Sequence, residues 1–156
     1  MGDSGDIRFW VGIDPATMCG WAVLDGDGNK IQSGTWSLAR RRGDGAGMLY
    51  VRFERLFREL LASYPGVVCY EQQANRFAGS AHIGLGIIAH LQRICEELSM
   101  PYSGIAFSTV KKHATGKGNA DKTAMIHSAE RRWGLTHDDN EADALWIADA
   151  MRIGLG

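Results

Sequence analysis

Acidic residues sit where two apolar runs end, and more of them open the last helical stretch. Asp14 closes Phe9-Trp10-Val11-Gly12-Ile13, directly before Pro15. Glu71 closes Val67-Val68-Cys69-Tyr70. Asp138-Asp139-Asn140-Glu141 leads into Ala142-Asp143-Ala144-Leu145, and the spacing of Asp139 and Asp143 puts both on one face of a helix. Carboxylates gathered in one place repel, and each resists ionising beside its neighbours. A hard divalent cation removes that penalty: Mg²⁺ takes oxygen ligands and leaves its other positions to water and substrate phosphates. A pair of such ions activates a water and steadies the leaving oxygen in phosphodiester hydrolysis. Each signal also has a plainer reading. Asp-Pro starts turns, a glutamate at a strand end is an ordinary surface acid, and acids at a helix start cap it and complement its dipole. The conjunction favours the metal reading if the fold unites the three places.

Positive charge is gathered elsewhere. Residues 108–122 hold Lys111, Lys112, Lys117 and Lys122 against a single acid, Asp121. Gly116 and Gly118 flank Lys117, and glycines let a backbone approach phosphates closely; the alternative is a loop made soluble by lysines. Gly116-Lys117-Gly118 lacks the spacing and the Ser/Thr of a Walker loop, so no nucleotide cofactor is expected. Arg40-Arg41-Arg42 either guides DNA or decorates a loop. The net charge of −1 hides this segregation. The five histidines show no zinc spacing. The three cysteines, Cys19, Cys69 and Cys95, form no Cys-x-x-Cys pair and read as buried thiols in a reducing compartment. Met1 to Asp6 is polar and unlike a signal peptide, and no apolar run approaches the ~20 residues of a membrane helix. A cytoplasmic protein without membrane contact is expected.

The elements that must position these groups follow from periodicity. The 156 residues fit one domain, 1–156, with 1–6 expected to be disordered. Strands are predicted over 8–14, 20–25 and 30–38; short turns join them, so they run antiparallel. Leu49, Phe53, Leu56, Phe57 and Leu60 predict a helix over 46–63. A strand over 67–71, a helix over 79–98, a strand over 102–107, a short helical turn at Val110-Lys111-Lys112, and helices over 120–133 and 140–153 complete the order. This is an α/β fold with a five-stranded mixed sheet flanked by helices. Placing the first strand between the second and fourth would set Asp14 beside Glu71.

With the motifs in order, the sequence resembles the RuvC family of Holliday junction resolvases, particularly its compact bacteriophage and prophage members, within the ribonuclease H-like fold. Gly12-Ile13-Asp14-Pro15, Cys69-Tyr70-Glu71-Gln72-Gln73, the stretch from Val110-Lys111 through Gly116-Lys117-Gly118 to Ala120-Asp121-Lys122, and Asn140-Glu141-Ala142-Asp143-Ala144-Leu145 carry the likeness over nearly the whole chain. The resemblance implies an endonuclease that cuts opposing strands of a four-way DNA junction as a homodimer. Asp14, Glu71 and Asp143 fall on catalytic acids, and Lys111 and Lys122 on basic residues near the active site. The implied cofactor is Mg²⁺, as two ions, with Mn²⁺ able to substitute. The family usually has Asp or His where this chain has Asn140; Asp139 is expected to replace it as the fourth ligand, with Asn140 itself as the alternative. Lys122 is counted with the catalytic residues. DNA contacts are expected from Lys111, Lys112, Lys117 and Lys122, and from Arg76 or Phe77, since the aromatic that cellular members carry after the glutamate is Ala74 here. Gly79, Gly84, Gly86 and Ala89 put small residues on the second helix, for packing on its own sheet or for a close contact across the dimer. The rival readings are another nuclease of this fold acting on flaps, forks or RNA–DNA hybrids, and a non-catalytic junction-binding protein.

Overall fold

The computed structural model describes residues 8–73, 81–134, 136 and 138–156. The expected disordered stretch 1–6, together with Ala74, Arg76, Phe77 and Gly79, lies outside them. Five strands, β1 (Phe9–Asp14), β2 (Met18–Leu24), β3 (Lys30–Ser37), β4 (Gly66–Glu71) and β5 (Tyr102–Ile105), form one sheet in the order β3-β2-β1-β4-β5. β1 pairs antiparallel with β2, and β2 with β3, while β4 lies parallel to β1 and to β5. The helices are α1 (Met48–Ser63), α2 (Ala81–Leu98), α3 (Phe107–Thr115), α4 (Lys122–Trp133) and α5 (Asp139–Arg152).

The pleat divides the core between two faces. Val11, Ile13, Val23, Val68 and Tyr70 point to the face covered by α1 and α2, where they meet Phe53, Phe57, Ile87 and Leu91. Ala22, Leu24 and Cys69 point to the opposite face, which α5 covers with Ala144, Leu145, Ile147 and Ala148. Because successive side chains alternate, Asp14, Gly12, Gly20 and Glu71 belong to the α5 face. Two glycines let α5 lie almost on the sheet. A Cβ on Gly12 would stand 2.2 Å from the Ala144 carbonyl oxygen, and one on Gly20 would stand 1.9 Å from that of Asn140.

Several expected boundaries shift. β5 stops at Ile105, the last residue in register with β4, and Phe107 instead begins α3, a complete helix rather than a single turn. Gly116, at φ +86°, ends α3 in the left-handed region with its N–H donating to the Lys112 carbonyl. Asp121 caps α4 by accepting from the Ala124 N–H, so that helix starts at Lys122. The described glycines of α2 turn inward, while Ala89 faces solvent. Gly84 faces Gln73 and Pro15, and Gly86 faces the Tyr50 ring of α1. Packing within the chain accounts for both, and the solvent-exposed stripe of α2 is instead His82, Leu85, Ala89, Arg93 and Glu96.

Gly12→Ala forces a methyl into the Ala144 carbonyl and should lower unfolding free energy by about 1–3 kcal/mol, read from a chemical denaturation midpoint. An unchanged midpoint would mean that α5 is not seated on β1 as described.

Candidate active site

β1 and β4 run parallel with Ile13 opposite Tyr70, so the next residues, Asp14 and Glu71, emerge side by side at the carboxyl end of the sheet. Asp14 is only 7% exposed, and its carboxyl is hydrogen-bonded to that of Glu71. The first turn of α5 arrives over this pair. Asp138 caps the helix by accepting from the Glu141 N–H at 2.9 Å, and accepts a second bond from the Thr35 hydroxyl at 2.8 Å. The Ser33 hydroxyl donates to the Glu141 carboxylate. The two acids before and within the first turn are thus occupied with β3, while Asp139 and Asp143 face the sheet end.

The electrostatics show how close these groups are. Burial pushes the Asp14 carboxyl well above its ordinary range, and the charges of Asp143 and Glu71, the hydrogen bond shared with Glu71 and the charge of Asp139 push it further. Burial also raises Glu71, against the Asp14 hydrogen bond and the Lys111 charge, which lower it. Asp143 is raised to about 8, by burial first and then by Asp139 and Glu71, with Lys111 and Lys122 acting in opposition. Asp14, Glu71 and Asp143, from β1, β4 and α5, therefore share one neighbourhood that penalises their ionisation.

Among the described residues, no three His, Cys, Asp or Glu side chains are drawn into a set tight enough to hold a metal ion. Asp14 and Glu71 bond to each other instead of opening around a common point. The donor chemistry nevertheless fits a hard cation, since every candidate ligand offers oxygen and the unrelieved repulsion is what a divalent charge removes. Asp14, Glu71, Gln73 and Asn140 line a cleft of about 360 Å³ walled by the Pro15–Met18 turn. Asn140 lines this cleft, whereas Asp139 reaches toward Lys122, with Nζ 3.8 Å from its carboxylate.

The lysines divide into two groups. Lys111 acts on Glu71 and Asp143 and rests 5.1 Å from the centre of the Phe107 ring; Lys122, 84% exposed, acts on Asp143. Lys112 is exposed on α3, and Lys117 lines a separate cleft of about 520 Å³ with His127 and Arg131. Arg76 and Phe77 lie outside the described residues. Sequence reasoning missed Gln73 as a lining residue, although it closes the Cys69–Gln73 motif. It also missed Thr35 and Ser33, whose place on an alternating strand carried no sign of their partners.

A mixed five-stranded sheet with acids at the ends of its central strands, and more on a helix laid across them, defines a ribonuclease H-like nuclease fold. The comparisons with known proteins are specific. The chain is 30% identical over 154 residues to the crossover junction endodeoxyribonuclease RuvC of Chlamydia trachomatis serovar L2, spanning 93% of this chain and 88% of that protein. It is 27% identical over 143 residues to RuvC of Ruegeria pomeroyi, spanning 88% and 87%. In fold it is similar to Thermus thermophilus RuvC solved in complex with a Holliday junction substrate, with a TM-score of 0.77 at 21% identity over 95% of this chain and 97% of the other. A second structure of Thermus thermophilus RuvC gives 0.70 at 20% identity over 92% and 95%. No family model matches the sequence. The chain belongs to the RuvC family of crossover junction endodeoxyribonucleases.

The raised carboxyls set the pH response of the metal-free protein. Asp143, at about 8 in the fold and near 4 unfolded, binds a proton in the folded state that the unfolded state lacks throughout that interval. Stability must therefore fall as pH rises from about 4 to 8. With chelator present, the melting temperature should be lower at pH 8 than at pH 5.5. Mg²⁺ should raise it more at pH 8 than at pH 5.5, because the cation competes with protons for the same oxygens. A Mg²⁺ effect that is absent, or equal at both pH values, would remove these acids from a metal site.

Proposed function

We propose that this protein resolves four-way DNA junctions by metal-dependent hydrolysis of opposing strands. The observation that carries the reading is the convergence at one sheet end of Asp14, Glu71 and Asp143, buried or half-buried acids from three separate elements whose carboxyls are all raised, in a chain of the RuvC family. Asp14, Glu71, Asp143 and Asp139 would hold Mg²⁺, most simply as two ions, with Mn²⁺ as a substitute and Asn140 as the alternative to Asp139. When bound, the metal supplies an activated water and charge compensation at the phosphate. The chain's own residues do the rest. Lys111 and Lys122 place positive charge beside the acids, where charge grows on the phosphoryl oxygens in the transition state. Lys112 and Lys117 add phosphate contacts farther along the strand. Asp138 and Glu141, tied to β3, fix the start of α5 and with it Asp139 and Asp143. A four-way junction has paired strands related by a two-fold axis, which a symmetric homodimer matches. Leu85 and Ala89 of α2 and Met48 and Val51 of α1 are exposed apolar side chains on two helices that pack together, and they suit that contact.

Asp14→Asn, Glu71→Gln and Asp143→Asn should each reduce Mg²⁺-dependent cleavage of a synthetic four-way junction by about a hundredfold or more, while junction binding persists. The unaltered protein should give paired nicks in opposing strands and sediment as a dimer. Full activity in any variant takes that residue out of the site, and unpaired nicking by a monomer defeats the resolvase reading.

Asp138 and Asp139 should separate cleanly. Asp138→Ala removes a helix cap and should cost about 0.5–2 kcal/mol of stability, and much less cleavage than Asp139→Ala. Asp139→Ala should leave the denaturation midpoint nearly unchanged and lower cleavage. If Asp139→Ala is fully active and Asn140→Ala is not, Asn140 is the fourth ligand.

A further inference from the structure

The antiparallel pairing carries the end of β3 back to the sheet edge where Asp14 stands: Ser37 lies opposite Met18, the first residue of β2. The next residue, Leu38, is buried and donates its N–H to the Thr17 carbonyl at 2.8 Å, within the turn that walls the acidic cleft. The loop that follows, Ala39 to Gly47, is thus rooted in the cleft wall. At ~4.8 Å between strands, its root lies about 10 Å from the strand of Asp14. Lys111 of α3 acts instead on Glu71 and Asp143, and Lys122 of α4 reaches Asp139 at the start of α5.

This loop has a single acid, and that acid is already engaged. Asp44 pairs with the buried Arg52 of α1 at 2.7 Å, and its other contact is the Arg41 backbone N–H, also at 2.7 Å. Arg40 donates to the Asp44 carbonyl at 3.1 Å, bracing the turn. With Asp44 neutralised from inside by Arg52, the outward side chains leave a net positive surface. Arg41 and Arg42 are exposed, and their side chains make no hydrogen bond or ion pair among the described residues. A decorative loop would need no such internal neutralisation. The fold spends a buried arginine on the one group that would otherwise cancel the exposed ones. Gly43, Gly45 and Gly47 leave open space around the backbone, so a phosphodiester strand can approach closely.

We infer that the Arg40–Arg42 loop is a second phosphate-binding wall, which grips a duplex arm of the DNA on the β2–β3 side of the cleft, with Arg41 and Arg42 making the contacts. This rests on the reading of the protein as a junction nuclease and adds where a flanking duplex lies.

The test is the salt dependence of binding to a four-way junction, measured without divalent cation for the unaltered protein, Arg41→Ala/Arg42→Ala and Arg41→Lys/Arg42→Lys. Each duplex phosphate contact contributes about 0.9 to the slope of log K against log salt. The alanine pair should lower the slope by about 2 and weaken binding at least tenfold at moderate salt. The lysine pair should keep most of the slope. Cleavage at saturating junction in Mg²⁺ should be unchanged in both, since neither residue belongs to the acidic site, and so should the melting temperature, since the Asp44–Arg52 pair is untouched. A slope and affinity unchanged by the alanine pair would overturn the inference. If the unaltered protein itself fails to bind or cut the junction, the parent reading fails instead.

Discussion

The architecture turns on the contact between a helix backbone and two glycines. α5 can lie where it does only because Gly12 and Gly20 offer no side chain to the Ala144 and Asn140 carbonyls. That close seat determines where the helix begins, and its beginning carries Asp139 and Asp143 to the end of the sheet. The pleat then decides the rest: with Gly12 and Gly20 facing α5, Asp14 and Glu71 must face it too. The acids meet because apolar packing leaves them nowhere else to go. Their ionisation cost is the consequence, and a cation or a proton is needed to offset it.

The two ends of α5 handle charge in opposite ways. Near its carboxyl end, Asp149 is buried, yet its pKa is lowered: burial pushes it up, but bonds from His113 and Arg152 and the charge and bond of Arg132 prevail. His113 reaches it at 2.8 Å from α3, and Arg132 comes from α4 while lying over the rings of Trp133 and Trp146. A buried charge with this many partners ties elements together more than it adds net stability. Here it joins α3, α4 and α5, and so fixes the helix from which Lys111 acts on the acids. One end of α5 is balanced and structural; the other is unbalanced and available for chemistry.

Much of this was legible in the sequence because the signals were periodic or local. The strand alternation and the apolar stripe of α1 gave the sheet and its helices, and Asp14 and Glu71 stood at strand ends where side-by-side pairing was predictable. What the pattern could not supply was partner identity. Gly84 and Gly86 have the same signature whether they meet a second chain or, as here, Gln73 and Tyr50. Asp138 and Asp139 are alike as letters, and only the bond from the Glu141 N–H marks the first as a cap. Phe107 looked like a strand residue because aromatic residues favour strands, but the register with β4 was exhausted at Ile105. Asp149 gave no sign of its role, since its partners come from segments far away in sequence.

The bonds from Ser33 and Thr35 to the first turn of α5 also bear on how such a sequence can change over time. β3 is an edge strand that carries none of the acids, and its exposed positions would ordinarily be free to drift. Positions 33 and 35 are not free, because a hydroxyl lost there removes one of the bonds that tie Glu141 or Asp138 to β3 and loosens the turn that holds Asp139. A lineage that replaces Thr35 gives up one of the two bonds that hold Asp138 at the helix start. The history of this helix start is therefore written jointly with that of a strand two places away in the sheet from Asp14.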